Sequence, residues 1–161
     1  MRVLITGVGG QDGFYLAQQL LAERHELWGM VRGRPGPARD RLATDLPGLR
    51  LVEGDLLDQS SLQAVLKEAE PEVVYNMGAI TFVGLSWAQP ALMSEVTGLG
   101  VLRMLEAIRL VNPEIRLVQA SSSEMFGQSR ETPQDEFTPL NPRSPYGVAK
   151  AFAHYTLVSY R

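Results

Sequence analysis

The first sixteen residues constrain the fold most. In Met1-Arg-Val-Leu-Ile-Thr-Gly7-Val-Gly-Gly10-Gln-Asp-Gly13-Phe-Tyr-Leu16, an apolar run from Val3 to Ile5 stands directly before glycines spaced three apart. The run reads as a short buried strand, and Leu16, Leu20 and Leu21 begin a helical pattern. A glycine-rich turn between a strand and a helix N-terminus offers backbone N–H groups and a positive dipole end, the chemistry that receives a phosphate. Gly7 can make the tight turn. Gly10 lets the backbone approach a pyrophosphate, and Gly13 lets the helix pack close to the strand.

Strand-like and helix-like segments alternate along the rest of the chain, which argues for a parallel sheet covered by helices. The pattern predicts strands near 2–6, 26–31, 49–53, 72–77 and 115–120, and helices near 12–23, 59–69, 90–111 and 145–160. Arg32 to Pro47, rich in Gly, Pro and Arg, reads as a mobile loop. Gln128 to Asn141 is polar and proline-bearing and reads as a second loop. Asp58 opens a helix and Pro113 closes one. The expected class is α/β, a doubly wound parallel sheet of the Rossmann type. Such a fold normally carries a sixth strand, and most enzymes built on it add a substrate lobe. The 161 residues are therefore expected to be an incomplete dinucleotide-binding domain, truncated before the last strands and the lobe.

Composition narrows the function. A net charge of −3 gives no broad basic surface for nucleic acid or an acidic membrane. The absence of cysteine removes disulfides and thiolate metal sites and fits a reducing, cytoplasmic compartment. No apolar run reaches the length of a membrane span. His25 and His154 lie far apart without ligand spacing, so no metal is expected.

The second strand ends at Met30-Val-Arg-Gly-Arg34, with Arg32 where an NAD site usually carries an acid. A guanidinium suits a 2′-phosphate by charge and by its fork of donors, which favours NADP. Asp55-Leu56 follows the third strand, beside the expected place of an adenine. Asn76-Met77-Gly78-Ala79 ends the fourth, where small residues admit a nicotinamide ribose. Ser121-Ser122-Ser123-Glu124 ends the fifth. Hydroxyls there can bond a substrate hydroxyl, and Glu124 can remove a proton from carbon. Downstream, Tyr146 and Lys150 stand four apart, on one face of a helix. An ammonium beside a phenol favours the phenolate, a base usable near neutral pH. The chain has only two lysines, so the pairing is not cheap to obtain by chance.

Taken together, these residues resemble the extended short-chain dehydrogenase/reductase family, and within it the GDP-mannose 4,6-dehydratases. The stretches that carry the likeness are Gly7 to Gly13 with Gln11-Asp12 inside the turn, Gly54-Asp55-Leu56, Asn76 to Ala79, Leu99 to Arg109, Ala120 to Glu124 and Pro142 to Lys150. The resemblance implies that Gly7, Gly10, Gln11, Asp12, Gly13, Arg32, Asp55, Leu56, Met77, Gly78, Ala79, Tyr146 and Lys150 hold NADP. It also implies catalysis by Ser122, Glu124, Tyr146 and Lys150 on a nucleotide sugar, GDP-mannose by this likeness. Ser122 stands where these dehydratases usually carry Thr, and Ile80-Thr-Phe82 where many carry Gln-Ser-His. Relatives pair two helices with a second subunit, so a homodimer or homotetramer is expected. Leu99, Leu102, Leu105 and Ile108 of the third predicted helix and Phe152, Tyr155 and Ser159 of the fourth would form that contact. A 4-keto-6-deoxy sugar reductase, a 4-epimerase and a non-catalytic NADP-binding module remain open alternatives. Glu124 separates them, because a reductase needs no carbon base and a sensor needs no base at all.

Overall fold

A computed structural model describes residues 1–33 and 36–161, with only the backbone of Ala38. Arg34 lies outside the described residues. The chain divides into two compact units, Met1–Gly78 with Arg103–Ala120, and Ala79–Leu102 with Ser121–Arg161.

The first unit holds the whole sheet. Strands β1 (Arg2–Thr6), β2 (Glu26–Val31), β3 (Arg50–Glu53), β4 (Val73–Asn76) and β5 (Arg116–Gln119) are all parallel, in the order β3-β2-β1-β4-β5. This is the expected Rossmann-like α/β sheet. Strand β1 lies in the middle, Val3 pairing Leu27 on one side and Val73 on the other. Its apolar run is unbroken because a parallel strand is buried on both faces. Val3, Leu4 and Ile5 are all fully buried. Pleating sends Val3 and Ile5 to one face, where they join Val8, Ala17, Leu20, Leu27, Leu42 and Leu46.

Helices α1 (Gln11–Ala22), α2 (Pro37–Asp45) and α3 (Gln59–Ala69) connect the strands. Helix α2 corrects the expected loop over Arg32 to Pro47. Pro37 opens it, and Leu42 and Leu46 bury themselves in the core, so tertiary packing holds a segment of weak helical composition. Asp58 caps α3, as expected, accepting from Ser60 N at 2.9 Å.

A directed chain of hydrogen bonds ties the carboxyl ends of β1, β4 and β5. Gly78 N–H donates to Thr6 Oγ1 at 2.9 Å, and that hydroxyl donates to Asn76 Oδ1 at 2.5 Å. Asn76 Nδ2 donates to Gln119 Oε1 at 2.6 Å, and Gln119 Nε2 to the Ala120 carbonyl at 2.9 Å. Thr6 and Asn76 are fully buried. Thr6→Val would take the partner from the half-buried Gly78 amide and from the buried Asn76 side-chain carbonyl, at a cost of about 2 kcal/mol. Urea denaturation should show that loss for Thr6→Val and a near-native midpoint for Thr6→Ser.

In the second unit, α4 (Leu85–Ala88) and α5 (Pro90–Met93) lead into a π-helical stretch, Ser94–Leu99; α6 (Gly100–Val111) follows it, its residues from Arg103 onward belonging to the first unit. The single helix predicted over 90–111 thus contains one wide turn. Helix α7 (Pro145–Ser159) packs on that stretch through Gly98, where a Cβ would sit 3.3 Å from the Phe152 ring. Leu105 and Ile108, expected at a subunit contact, are instead buried in this chain's own core. On α7, Val148, Phe152, Tyr155 and Val158 are exposed. No described helix is long and apolar enough to cross a membrane.

Candidate active site

In the first unit the glycine turn has the geometry of a phosphate cradle. Gly7 sits at φ +65°, and a Cβ there would lie 2.7 Å from Gly78 N. A Cβ on Gly13 would collide with the Gly7 carbonyl and lie 2.9 Å from Val8 Cα. Only glycine fits either place. Gly10 begins α1 without any side-chain cap, whereas Asp58 caps α3 and Ser144 caps α7. The first amides of α1, those of Gln11, Asp12 and Gly13, are thus left for another acceptor.

Beside this turn lies a cleft of about 380 Å³, lined by Gly7, Gly9 and Gly10, by Met30 to Gly33 at the end of β2, and by Gly36, Pro37, Arg39 and Leu42. Arg32 is exposed, one residue beyond β2. Gly7, Gly10 and Arg32 are therefore brought to one cleft. Gln11 lines a neighbouring one with Tyr15 and Arg41. Asp55, Leu56, Met77 and Gly78 line neither. Asp55 is half-buried after β3, one carboxylate oxygen accepting from Leu57 N at 2.9 Å. Leu56 is buried, and Gly78 packs against it and Thr6 so closely that a Cβ would stand 3.1 Å from Leu56 Cδ1. The glycine cradle and the uncapped helix fit the pyrophosphate of a dinucleotide, and the cleft beside them has no carboxylate among its described lining residues.

The second unit brings together Ser122, Glu124, Tyr146 and Lys150, with Ala79 at its start. Ser122 caps a 3-10 turn, Ser123–Met125, its hydroxyl accepting from Glu124 N at 3.2 Å. The Glu124 side chain is exposed. Ser144 opens α7, accepting from Gly147 N at 3.0 Å, and Pro145 takes the first helical position. One turn then separates Tyr146 from Lys150, with the Lys150 Nζ 5.9 Å from the phenol ring centroid. Both are buried, at 6% and 4% exposure. The ordinary picture of a solvated Tyr–Lys pair on a helix surface is excluded by that burial.

Burial holds the Lys150 ammonium below its ordinary pKa of 10.5. Between the lowered folded value and 10.5 the unfolded chain binds the extra proton, so stability rises with pH across that window. Below the window the burial penalty is present in full. Lys150→Met should flatten this part of the stability profile in denaturant titrations from neutral to alkaline pH. A variant with the wild-type slope would show that the penalty lies elsewhere.

Sequence reasoning passed over Gly147. A Cβ there would lie 2.6 Å from the Glu124 carbonyl, so the start of α7 rests on the Ser-Glu turn through this glycine. Its position directly after the tyrosine was the available signal. Arg39 was passed over because its segment was read as a loop.

The family model described as GDP-mannose 4,6 dehydratase matches residues 4–161. A GDP-mannose 4,6-dehydratase of Vibrio cholerae is 44% identical over 99% of this chain and 45% of its own length. The Homo sapiens GDP-mannose 4,6 dehydratase is 39% identical over 98% of this chain and 45% of its own. The chain thus spans about half the length of the curated relatives it matches. Among solved structures, a Thermus thermophilus UDP-glucose 4-epimerase in complex with NAD superposes with a TM-score of 0.85 at 31% identity, covering 99% of this chain and 50% of that one. A Brucella ovis UDP-glucose 4-epimerase in complex with NAD gives 0.86 at 27%, covering 98% and 47%.

Proposed function

The chain belongs to the GDP-mannose 4,6-dehydratase family, and from that premise we propose that residues 1–161 are the NADP-binding Rossmann part of an enzyme converting GDP-mannose to GDP-4-keto-6-deoxymannose. The observation that carries this reading is the gathering of Ser122, Glu124, Tyr146 and Lys150 in one compact unit, with the Glu124 turn seated against Gly147 beside Tyr146. A carbon base joined to a Tyr–Lys pair is the requirement of a dehydratase; a 4-epimerase or a reductase has no step for it.

The glycine turn, Arg32, Asp55, Leu56 and the Met77-Gly78-Ala79 segment would hold the cofactor, with Lys150 bonding the nicotinamide ribose. Bound NADP⁺ would accept hydride from C4 of the sugar and return it at C6, so that it ends as it began. Tyr146 takes the proton of the C4 hydroxyl, and Ser122 orients the C4 oxygen. The C4 ketone acidifies C5; Glu124 removes the C5 proton and gives it to the departing C6 hydroxyl, which leaves as water, and after hydride returns to C6 the enolate takes up at C5 the proton that Tyr146 had accepted. Net, the sugar loses one water and the reaction is a lyase reaction.

The exposed apolar stripe on α7 supports assembly into a homodimer or homotetramer, and the lack of cysteine accords with a cytoplasmic location. Incubating the purified full-length gene product with GDP-mannose and catalytic NADP⁺ tests the activity. Mass spectrometry should show a sugar nucleotide lighter by one water. An unchanged mass would sink the dehydratase reading in favour of a 4-epimerase or a non-catalytic NADP-binding module.

A further inference from the structure

We infer that Arg39, on α2, is a second cation for the 2′-phosphate of the cofactor and shares with Arg32 the discrimination of NADP from NAD. The inference rests on the NADP reading above and adds to it a residue from a different element.

A phosphate monoester carries roughly −1.5 to −2 charges at neutral pH, more than one guanidinium neutralises. Among the described residues, the cleft beside the glycine turn presents two. Arg32 enters from the end of β2 and Arg39 from the first turn of α2. Among the described residues lining it there is no carboxylate to compete for either. Arg39 is half-buried and anchored, its Nη2 donating to the Leu51 carbonyl at 3.3 Å. One anchoring bond fixes a planar fork and leaves its other donors for a ligand. Helix α2 adds to the positive field. It starts at Gly36 and Pro37, both on the cleft, with no side-chain cap on its first amides. Gly33, directly after Arg32, has φ +76°, where a side chain would be strained. A glycine thus occupies the position beside Arg32, and the second positive charge arrives from the helix seven residues later.

The test is a pair of fluorescence titrations, NADPH and NADH, on the purified wild type, Arg39→Met and Arg39→Lys, with urea denaturation of each. Arg39→Met is expected to bind NADPH about 10- to 100-fold more weakly, the loss of one charge-assisted contact, and to bind NADH as the wild type does. Arg39→Lys should recover part of the preference. If Arg39→Met keeps the full preference for NADPH, the assignment of Arg39 is wrong and the NADP reading stands. Equal weakening toward both nucleotides would make Arg39 a structural strut through Leu51 and also overturn the assignment. A wild type that binds NADH as tightly as NADPH would overturn the NADP reading itself, and this inference with it.

Discussion

Replacing Gly7 with alanine is expected to weaken NADPH binding by more than about a hundredfold and to lower stability by about 3 kcal/mol. Two separate effects combine at this residue. Its φ of +65° is in the left-handed region, where an L side chain is strained. Its Cβ would also meet Gly78 N at 2.7 Å and Met77 C at 2.9 Å, backbone atoms that cannot swing aside. The segment after β4 must then move, and Thr6 holds that same segment by the Gly78 amide. Gly48 separates the two effects. It has φ +101°, but the nearest atom to its Cβ is Leu21 Cδ2 at an ordinary 3.5 Å. Gly48→Ala should therefore cost only the strain, about 1 kcal/mol, and bind NADPH normally. Urea midpoints and nucleotide titrations on the two variants check this. Equal behaviour of the two would show that crowding against Gly78 is of no consequence.

The second large effect is expected at Glu124. If its carboxylate is the base that takes the C5 proton, Glu124→Gln should slow water loss by about 10²- to 10⁴-fold, the usual worth of a positioned base. The fold should be untouched. The side chain is exposed, and the contacts that seat this turn use the Glu124 backbone: its N–H donates to Ser122 Oγ and its carbonyl packs against Gly147. Oxidation at C4 does not need this group. Quenched reactions of the variant should accordingly hold up to one equivalent per protein of a sugar nucleotide two hydrogens lighter than the substrate. Exchange of the C5 hydrogen with deuterated water should also disappear. Full water loss by Glu124→Gln would remove the argument that separates the dehydratase from its relatives.

Much of this architecture could be read from local pattern. Each strand was placed within a residue of its observed ends, and for β1 and β4, paired on both sides, the signal was the continuous apolar run, Val3 to Ile5 and Val73 to Tyr75. Helix α3 was legible from Asp58, whose cap is a local bond. Helix α2 was not. Among the described residues, Leu42 within it and Leu46 at its end are the buried anchors, a single pair four apart amid charge, and nothing in that spacing says that a core waits for them. The same holds for the site. Tyr146 and Lys150 were visible because one helical turn fixes their relation. The dependence of α7 on Gly147 and the chain from Thr6 to Gln119 were invisible, since each joins residues distant in sequence. Arg39 was hidden behind the misread loop.

The order β3-β2-β1-β4-β5 has a consequence for how this chain is made. Strand β1 is the first of the five strands along this chain, and its two sides are enclosed at different times. Its β2 side closes locally, Val3 finding Leu27. Its β4 side waits for Val73 to Asn76 to be synthesised. Until then the nascent chain exposes an open row of amides and carbonyls along one of its most apolar stretches, and such an edge pairs readily with any other strand. The Val3 to Ile5 run that centres the finished sheet is, during synthesis, the segment most in need of a holding chaperone.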